Sequence, residues 1–453
     1  MSHAIIRGLA MAIATAPFLI ACGGGKADNP GAINSPQCSG ASCGVQGPPS
    51  SNAGTPTLCP ASADIVKTTF LGGAGSGEVV QLNIDATAMT YTLKWLESPI
   101  PLRTGSVSPT RAGTQIAGAV IHPPTGALPT AEQIRCAFIL GAGSGTGVGD
   151  GQPYTTPDFV NNPNPPMILV GNGVAGGGIP GATVQFAGIL GLGAVPNRHF
   201  DFYPFLGFAS TTTDLTKLVG TYNGLLYHLS PSANYETIAT NSVETFDASG
   251  NCTSPSAGGC LSTGNALTLN SNGYFDSTSP PQIVNGGSPA PLRTGNFGKA
   301  HMILGQINGA TVPLVVRTGS VNLGTLQIDD ESGIAMLAAA TPLASGGFDG
   351  GYVGADSNFN YTATLIQGGV GTFINPSTSA AEDGFGLGYG LPSPGLVGVQ
   401  SAATGGQGLA IASGGLYAIE IQSKVNNGVA PTSAIAGSTP DAPYFGIGAQ
   451  ISK

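Results

Sequence analysis

Residues 78–97 read Glu78-Val-Val80-Gln-Leu82-Asn-Ile84-Asp85, a short turn, then Thr90-Tyr91-Thr-Leu93-Lys-Trp95-Leu-Glu97. Val80, Leu82 and Ile84 alternate with Gln81, Asn83 and Asp85. Tyr91, Leu93 and Trp95 alternate with Thr92 and Lys94. A period of two on both sides of a turn predicts a β-hairpin with one buried face. The plan recurs downstream. Asn272-Gly273 lies between Leu267-Thr-Leu269 and Tyr274-Phe275, and Asn-Gly suits the tight turn of a two-residue hairpin. Gly414-Gly415 separates Leu409-Ala-Ile411 from Leu416-Tyr-Ala-Ile419. Asp329-Asp330-Glu331 separates Leu326-Gln-Ile328 from Ile334-Ala-Met336 and reads as a solvated turn. One short helix is expected, where Thr130-Ala-Glu-Gln133 has the form of a capping box.

Composition points the same way. The chain has 453 residues, with 72 glycines and 35 prolines, which cost helix interiors about 1 and 3 kcal/mol each. Charged residues make up 8%, against roughly 25% in ordinary soluble domains. A mean hydropathy of +0.19 excludes a charged disordered chain. A net charge of −9 with 14 Lys and Arg leaves no basic surface for nucleic acid. The expected class is all-β, built of repeated antiparallel hairpin and meander units. A propeller-like body is the first expectation, and tandem β-barrels or sandwiches are the alternative; each hides the strand edges that a charge-poor chain cannot guard.

Internal repetition marks about three modules in the body 63–453, at 63–212, 213–345 and 346–453. Phe70-Leu71-Gly72, Leu218-Val219-Gly220 and Tyr352-Val353-Gly354 recur at intervals of 148 and 134 residues. Separately, Ser98-Pro-Ile-Pro101-Leu-Arg103-Thr-Gly105 recurs as Ser288-Pro-Ala-Pro291-Leu-Arg293-Thr-Gly295, and Arg-Thr-Gly returns at Arg317. These three arginines, of 7 in the chain, are either turn-closing residues or a ring of ligands for a shared anion.

The N-terminus reads as an export signal over 1–21. Arg7 supplies positive charge, and Gly8 to Ile20 is an apolar stretch of 13 residues, too short to span a membrane. It ends in Leu19-Ile-Ala-Cys22, which resembles a lipobox and implies lipidation at Cys22. Residues 22–62 are rich in Gly, Ser, Pro and Ala and read as a flexible tether. Lipid is then the only expected membrane contact, and the outer membrane is the expected location. Of 7 cysteines, six remain, in a compartment that permits disulfides. Proximity suggests Cys38 with Cys43, Cys252 with Cys260, and Cys59 with Cys136, among 15 connectivities.

Chemical motifs mostly fail on context. Gly171-Asn-Gly173-Val-Ala-Gly176 has dinucleotide-fingerprint spacing, but Gly177, Gly178 and Pro180 follow, so no helix can receive a pyrophosphate; a hairpin loop is expected, and no nucleotide. His199 and Asp201 would share a strand face and form the orienting half of a catalytic triad. No histidine pair has metal-ligand spacing, so no metal is expected apart from weak calcium binding near Asp356, Asn358 and Asn360.

The lipobox, the glycine-rich tether, Gly220-Thr-Tyr-Asn223 and the Cys252/Cys260 segment leading into Leu267 to Ser277 together resemble a family of uncharacterised β-proteobacterial lipoproteins. The resemblance implies export, lipidation and a β-rich body, and it supplies no catalytic residue. The expected function is therefore a lipid-anchored envelope protein that binds a protein or glycan without catalysis. The alternative is a lipid-anchored hydrolase of a polysaccharide, peptide or ester.

Overall fold

The computed structural model describes residues 57–452 except 129, 163–164, 187–194, 234, 255–259, 265, 283–296, 323, 326, 358–360, 375–379, 390, 392 and 422–443. Cys22, Cys38, Cys43, Arg293, Asn358 and Asn360 lie outside the described residues, as do the leader and most of the tether. The described chain is all-β, with two short α-helices at Ser62–Ile65 and Ala131–Cys136. No helix among the described residues is long and apolar enough to cross a membrane.

The opening hairpin forms as its period requires. Glu78–Asp85 pairs with Thr90–Glu97, and Val80, Leu82, Ile84, Tyr91, Leu93 and Trp95 are all buried. The hairpin belongs to a nine-stranded sheet that runs Gln115–Ile121, Thr90–Glu97, Glu78–Asp85, Thr69–Ala74, Val195–Phe208, Val174–Phe186, Met167–Val170, Ala137–Thr146, Pro153–Thr155. Gln115–Ile121 also pairs with Ala137–Thr146, so eight of the strands close into a barrel and Pro153–Thr155 flanks it.

A second, open sheet has eight strands. Its centre is Glu236–Phe246, Gly220–Ser230, Ser332–Ala339, Ala310–Thr318, Lys299–Ile307 and Phe275–Thr278, and its ends are the two-residue strands Cys252–Thr253 and Thr268–Leu269. One face packs Leu225, Ile303, Leu314 and Met336 into a core shared with residues of both barrels; the other packs Leu226, Met302, Val315 and Leu337. Burial on both faces makes such strands continuously apolar rather than alternating. The last eight strands, Gly350–Asp356 through Tyr444–Ser452, close into a second barrel. Tandem barrels with a half-barrel sheet thus replace the propeller. Each ring satisfies its edge strands by closure, where a propeller would need separate small blades.

Phe70-Leu71-Gly72 and Tyr352-Val353-Gly354 lie within Thr69–Ala74 and Gly350–Asp356, the first strands of the two barrels, while Leu218-Val219 lead into Gly220–Ser230, the first strand of the open sheet. Gly414 and Gly415 turn the expected hairpin with φ of 62° and 90°. Residues 327–336 differ from expectation: Gln327–Asp329 pairs with Ser320–Asn322, while Ser332–Ala339 pairs with Gly220–Ser230 and Ala310–Thr318. The acidic triplet is therefore a corner between two sheets, not the turn of one hairpin.

The first barrel and the open sheet meet closely. A Cβ at Gly73 would overlap the Val316 methyl, and one at Gly305 would overlap the Phe208 ring, so only glycine permits this approach. Upstream of the barrel, Cys59 and Cys136 form a disulfide with Cα atoms 5.8 Å apart. The capped helix Ala131–Cys136 reinforces it: Arg135 donates to the carbonyls of Pro60 (2.8 Å) and Cys59 (3.1 Å), and Leu58 N donates to Glu132 (3.1 Å). Cys252 and Cys260 form a second disulfide.

Candidate functional site

Glu78 starts an inward-facing row with Val80, Leu82 and Ile84, which puts a carboxylate at one end of the first barrel. Arg111, from the loop joining Thr90–Glu97 to Gln115–Ile121, closes on it. The pair has no side-chain exposure. Arg111 Nε donates to Glu78 Oε1 (2.5 Å), and its other nitrogens reach Tyr154 Oη and the carbonyls of Gly181 and Pro180. Its guanidinium lies 4.2 Å from the centre of the Trp95 ring. Burial opposes the charge on Arg111, but Glu78 more than offsets it and the group is held protonated. Ser76 and Ser98 each donate to Glu78, at 2.7 and 2.5 Å. A buried pair with this many hydrogen bonds fixes the loop on the barrel end.

Across the seam, the triplet Asp329-Asp330-Glu331 is buried rather than solvated. Each carboxylate has its own partners. Asp329 accepts from Arg317 (2.5 Å), Gln282 (2.9 Å) and Gly298 N (2.6 Å). Asp330 accepts from Ser230 Oγ (2.9 Å), Ser232 Oγ (2.7 Å) and Ser232 N (2.6 Å). Glu331 lies 2.6 Å from His228 Nδ1. Three neighbouring acids stay buried because they point to three different donor sets.

Between these two polar clusters lies a cavity of about 300 Å³. Its walls come from the Ser98–Pro101 segment and Ser76 on the barrel side, and from Leu229, Thr318, Asp330 and Ser332 on the sheet side. Tyr203 lines it from Val195–Phe208. The ring is buried and its hydroxyl has no hydrogen-bond partner among the described residues. Burial pushes the Tyr203 hydroxyl well above the usual tyrosine range, so it stays protonated. A second cavity of about 250 Å³, lined by Leu58, Asn172, Ile307 and Gly414 among others, lies where segments of both barrels and the open sheet meet.

His199 and Asp201 do share a face, with Nε2 to Oδ1 at 3.2 Å, but their side chains are 52% and 71% exposed. His199 Nδ1 lies 2.9 Å from Thr183 Oγ1, and neither residue lines either cavity. Arg103 is bound to Asp150 at 2.7 Å and to the Pro153 carbonyl at 2.8 Å, whereas Arg317 is buried on Asp329. These two arginines serve separate carboxylates and do not converge. Asp356 is buried within its strand. Gly171 to Gly173 is the turn of a hairpin between Met167–Val170 and Val174–Phe186, with Gly173 at φ 95°, and Gly176 lies in the second strand. Among the described residues, the one cluster of metal-ligating side chains is Cys59, Glu132 and Cys136, and its two thiols are joined as a disulfide.

Sequence reasoning missed Arg111, Tyr203 and Asp330. Only the repeated Ser98–Gly105 motif pointed to this end of the barrel, and it did so through Arg103, which is not in the cavity.

Fold and site together define an all-β chain of tandem eight-stranded barrels with a hydroxyl-lined cavity at the seam between barrel and sheet. The chain belongs to the family described as "Protein of unknown function (DUF2957)", whose model matches residues 90–449. No curated protein matches it. Two solved structures of the vaccine antigen transferrin binding protein B from Haemophilus parasuis Hp5 are similar over most of the chain. The Trp-176-Ala mutant shares 9% identity, with a TM-score of 0.22, over 83% of this chain and 66% of that one. The Tyr-167-Ala and Trp-176-Ala double mutant shares 10%, with a TM-score of 0.16, over 82% and 65%. The chain thus spans under two thirds of the length of those proteins, and scores of this size transfer neither site nor partner.

Proposed function

We propose that this is an exported, lipid-anchored protein of the cell envelope that holds a partner, protein or glycan, without transforming it. The observation that carries this reading is the closure of the seam's acids and imidazole on protein partners. Glu78, Asp329 and Glu331 face Arg111, Arg317 and His228 respectively. A general acid or base must reach its substrate within hydrogen-bond distance, and these groups are spent on the fold. The cavity beside them is lined by hydroxyls, prolines and aliphatic carbons together with the Glu97 and Asp330 carboxylates and Lys299, and Asp330 too is held by protein donors, from Ser230 and Ser232; such a mixed wall suits recognition. Arg7, the apolar stretch 8–20 and Leu19-Ile-Ala-Cys22 support export and lipidation, and the two disulfides fit an oxidising compartment.

The test has two arms. Metabolic labelling with an alkyne fatty acid should mark the wild-type chain and not Cys22→Ala; equal labelling would refute anchoring at Cys22. The full-length chain, used as bait in native envelope extract, should capture a saturable partner that heat-unfolded bait does not. Glycan or peptide fragments accumulating with time would favour the hydrolase instead.

A further inference from the structure

We infer that Arg198 anchors a site for a single carboxylate group. It lines neither cavity, so this site is separate from the one described above. Five arginines lie among the described residues. Four are on a carboxylate: Arg103 on Asp150, Arg111 on Glu78, Arg135 on Glu132 and Arg317 on Asp329. Arg198 alone has neither hydrogen bond nor ion pair among the described residues, although the residue is only 8% exposed. A buried charge without a counter-charge is costly, and the fold retains this one. Its place in the strand accounts for its burial. His199 and Asp201 face solvent, so Arg198 and Phe200 point inward from Val195–Phe208. Arg198 stands opposite Val184 in the ladder, and Tyr235 closes over that pair by donating to the Val184 carbonyl (3.0 Å). The guanidinium carbon lies 4.9 Å from the centre of the Phe200 ring and 5.8 Å from that of Tyr235.

Aromatic faces attract the cation but give its N–H fork no oxygen to donate to. The groups that act on its charge are the phenols of Tyr227, Tyr235 and Tyr203, and none is a carboxylate. Burial therefore draws Arg198 below the usual guanidinium range, whereas at Arg111 the same burial is outweighed by Glu78. Arginine nevertheless keeps its proton, and the missing component is an oxyanion. Nε is sealed from solvent, which leaves access to the two Nη groups at the end of the fork. A carboxylate can take both with its two oxygens. Charge selects the class. No second cation among the described residues acts on Arg198, so the site neutralises one negative charge. A phosphate group carries about −1.5 to −2 at neutral pH and would leave an excess beside the rings. The carboxylate of a small acid and that of a larger partner share this chemistry.

The experiment follows thermal unfolding of the full chain at neutral pH in sodium acetate, against sodium chloride at equal ionic strength. Acetate should raise the wild-type midpoint along a saturating curve, because a ligand of the folded state stabilises it by mass action. Chloride should not. Arg198→Lys keeps the charge without the fork and should weaken acetate about tenfold. Arg198→Met keeps an unbranched stem over the rings and should abolish the response. The inference is overturned if acetate acts no differently from chloride on the wild type. It is equally overturned if both variants respond as the wild type does, or if inorganic phosphate binds more tightly than acetate. Given the acetate response, loss of an envelope partner from wild-type bait in saturating acetate would assign the carboxylate to that partner. Capture undiminished by acetate would assign it to a small acid. The binding reading above stands or falls separately, on whether any partner is captured.

Discussion

The two closed barrels have the same strand number and different fillings. The first holds a buried ion pair, Arg111 on Glu78 over Trp95, and a disulfide from Cys59 to Cys136. The second holds aromatic rings: Phe373 lies 5.0 Å from Phe385 and 5.3 Å from Tyr444, and Tyr352 lies 4.8 Å from Tyr417. Among the described residues it contains neither ion pair nor disulfide. Ring closure alone therefore does not dictate the interior. The first barrel has a 17-residue loop, 98–114, folded over its end beside the cavity, and charge pins that loop in one geometry. The second barrel fills its interior by shape.

This contrast predicts different responses to substitution. Arg111→Ala leaves Glu78 buried without its charge partner and should cost about 3–5 kcal/mol in denaturant unfolding. A loss below about 1 kcal/mol would mean that the pair behaves as a surface salt bridge and that the contrast is empty. Replacing Cys59 and Cys136 by alanine should cost about 2–4 kcal/mol, read by the same unfolding midpoint. Local proteolysis should then begin ahead of Thr69 rather than in the second barrel.

The second barrel should reveal itself through pH. Glu420 sits on the strand Leu416–Ile421, 3% exposed, and burial raises its carboxyl to about 8. The folded chain then holds a proton that the unfolded chain has released above about pH 4.5. Stability should fall by about 1.4 kcal/mol for each pH unit between the unfolded and folded values, and level off above pH 8. Glu420→Gln should flatten that slope; an unchanged slope would assign it elsewhere. The smallest effect is expected for Tyr417→Phe. It removes the hydroxyl 2.9 Å from buried Thr364 and should cost about 1 kcal/mol, since the ring packing that fills the barrel remains.

What the sequence revealed depended on where water reaches. The hairpin 78–97 was legible because its outward residues, such as Gln81 and Lys94, are only half-buried, so the period of two survives. Leu409–Ile419 was legible through its paired glycines, and the helix after Thr130 through its capping box. Ser332–Ala339 and Ala310–Thr318 are buried on both faces, so no alternation marks them and their pairing could not be read. The acidic triplet misled for a related reason. Three adjacent carboxylates imply solvent unless their donors are visible, and His228 lies 103 residues from Glu331 while Ser230 lies 100 from Asp330. The cavity was hidden most completely, because its walls run from Gly75 to Ser332 and no local motif spans that distance.

The disulfide at Cys59 has a mechanical consequence. Any tension arriving from the N-terminal side enters the described fold at residues 57–60, and there the load divides. Part follows the backbone toward Thr69–Ala74, and part crosses the covalent bridge to Cys136 at the root of Ala137–Thr146. These strands lie on different sides of the ring, so a pull is shared in shear between them rather than unzipping one strand at a time. The first barrel is thus held at two points of its ring by the segment that enters it.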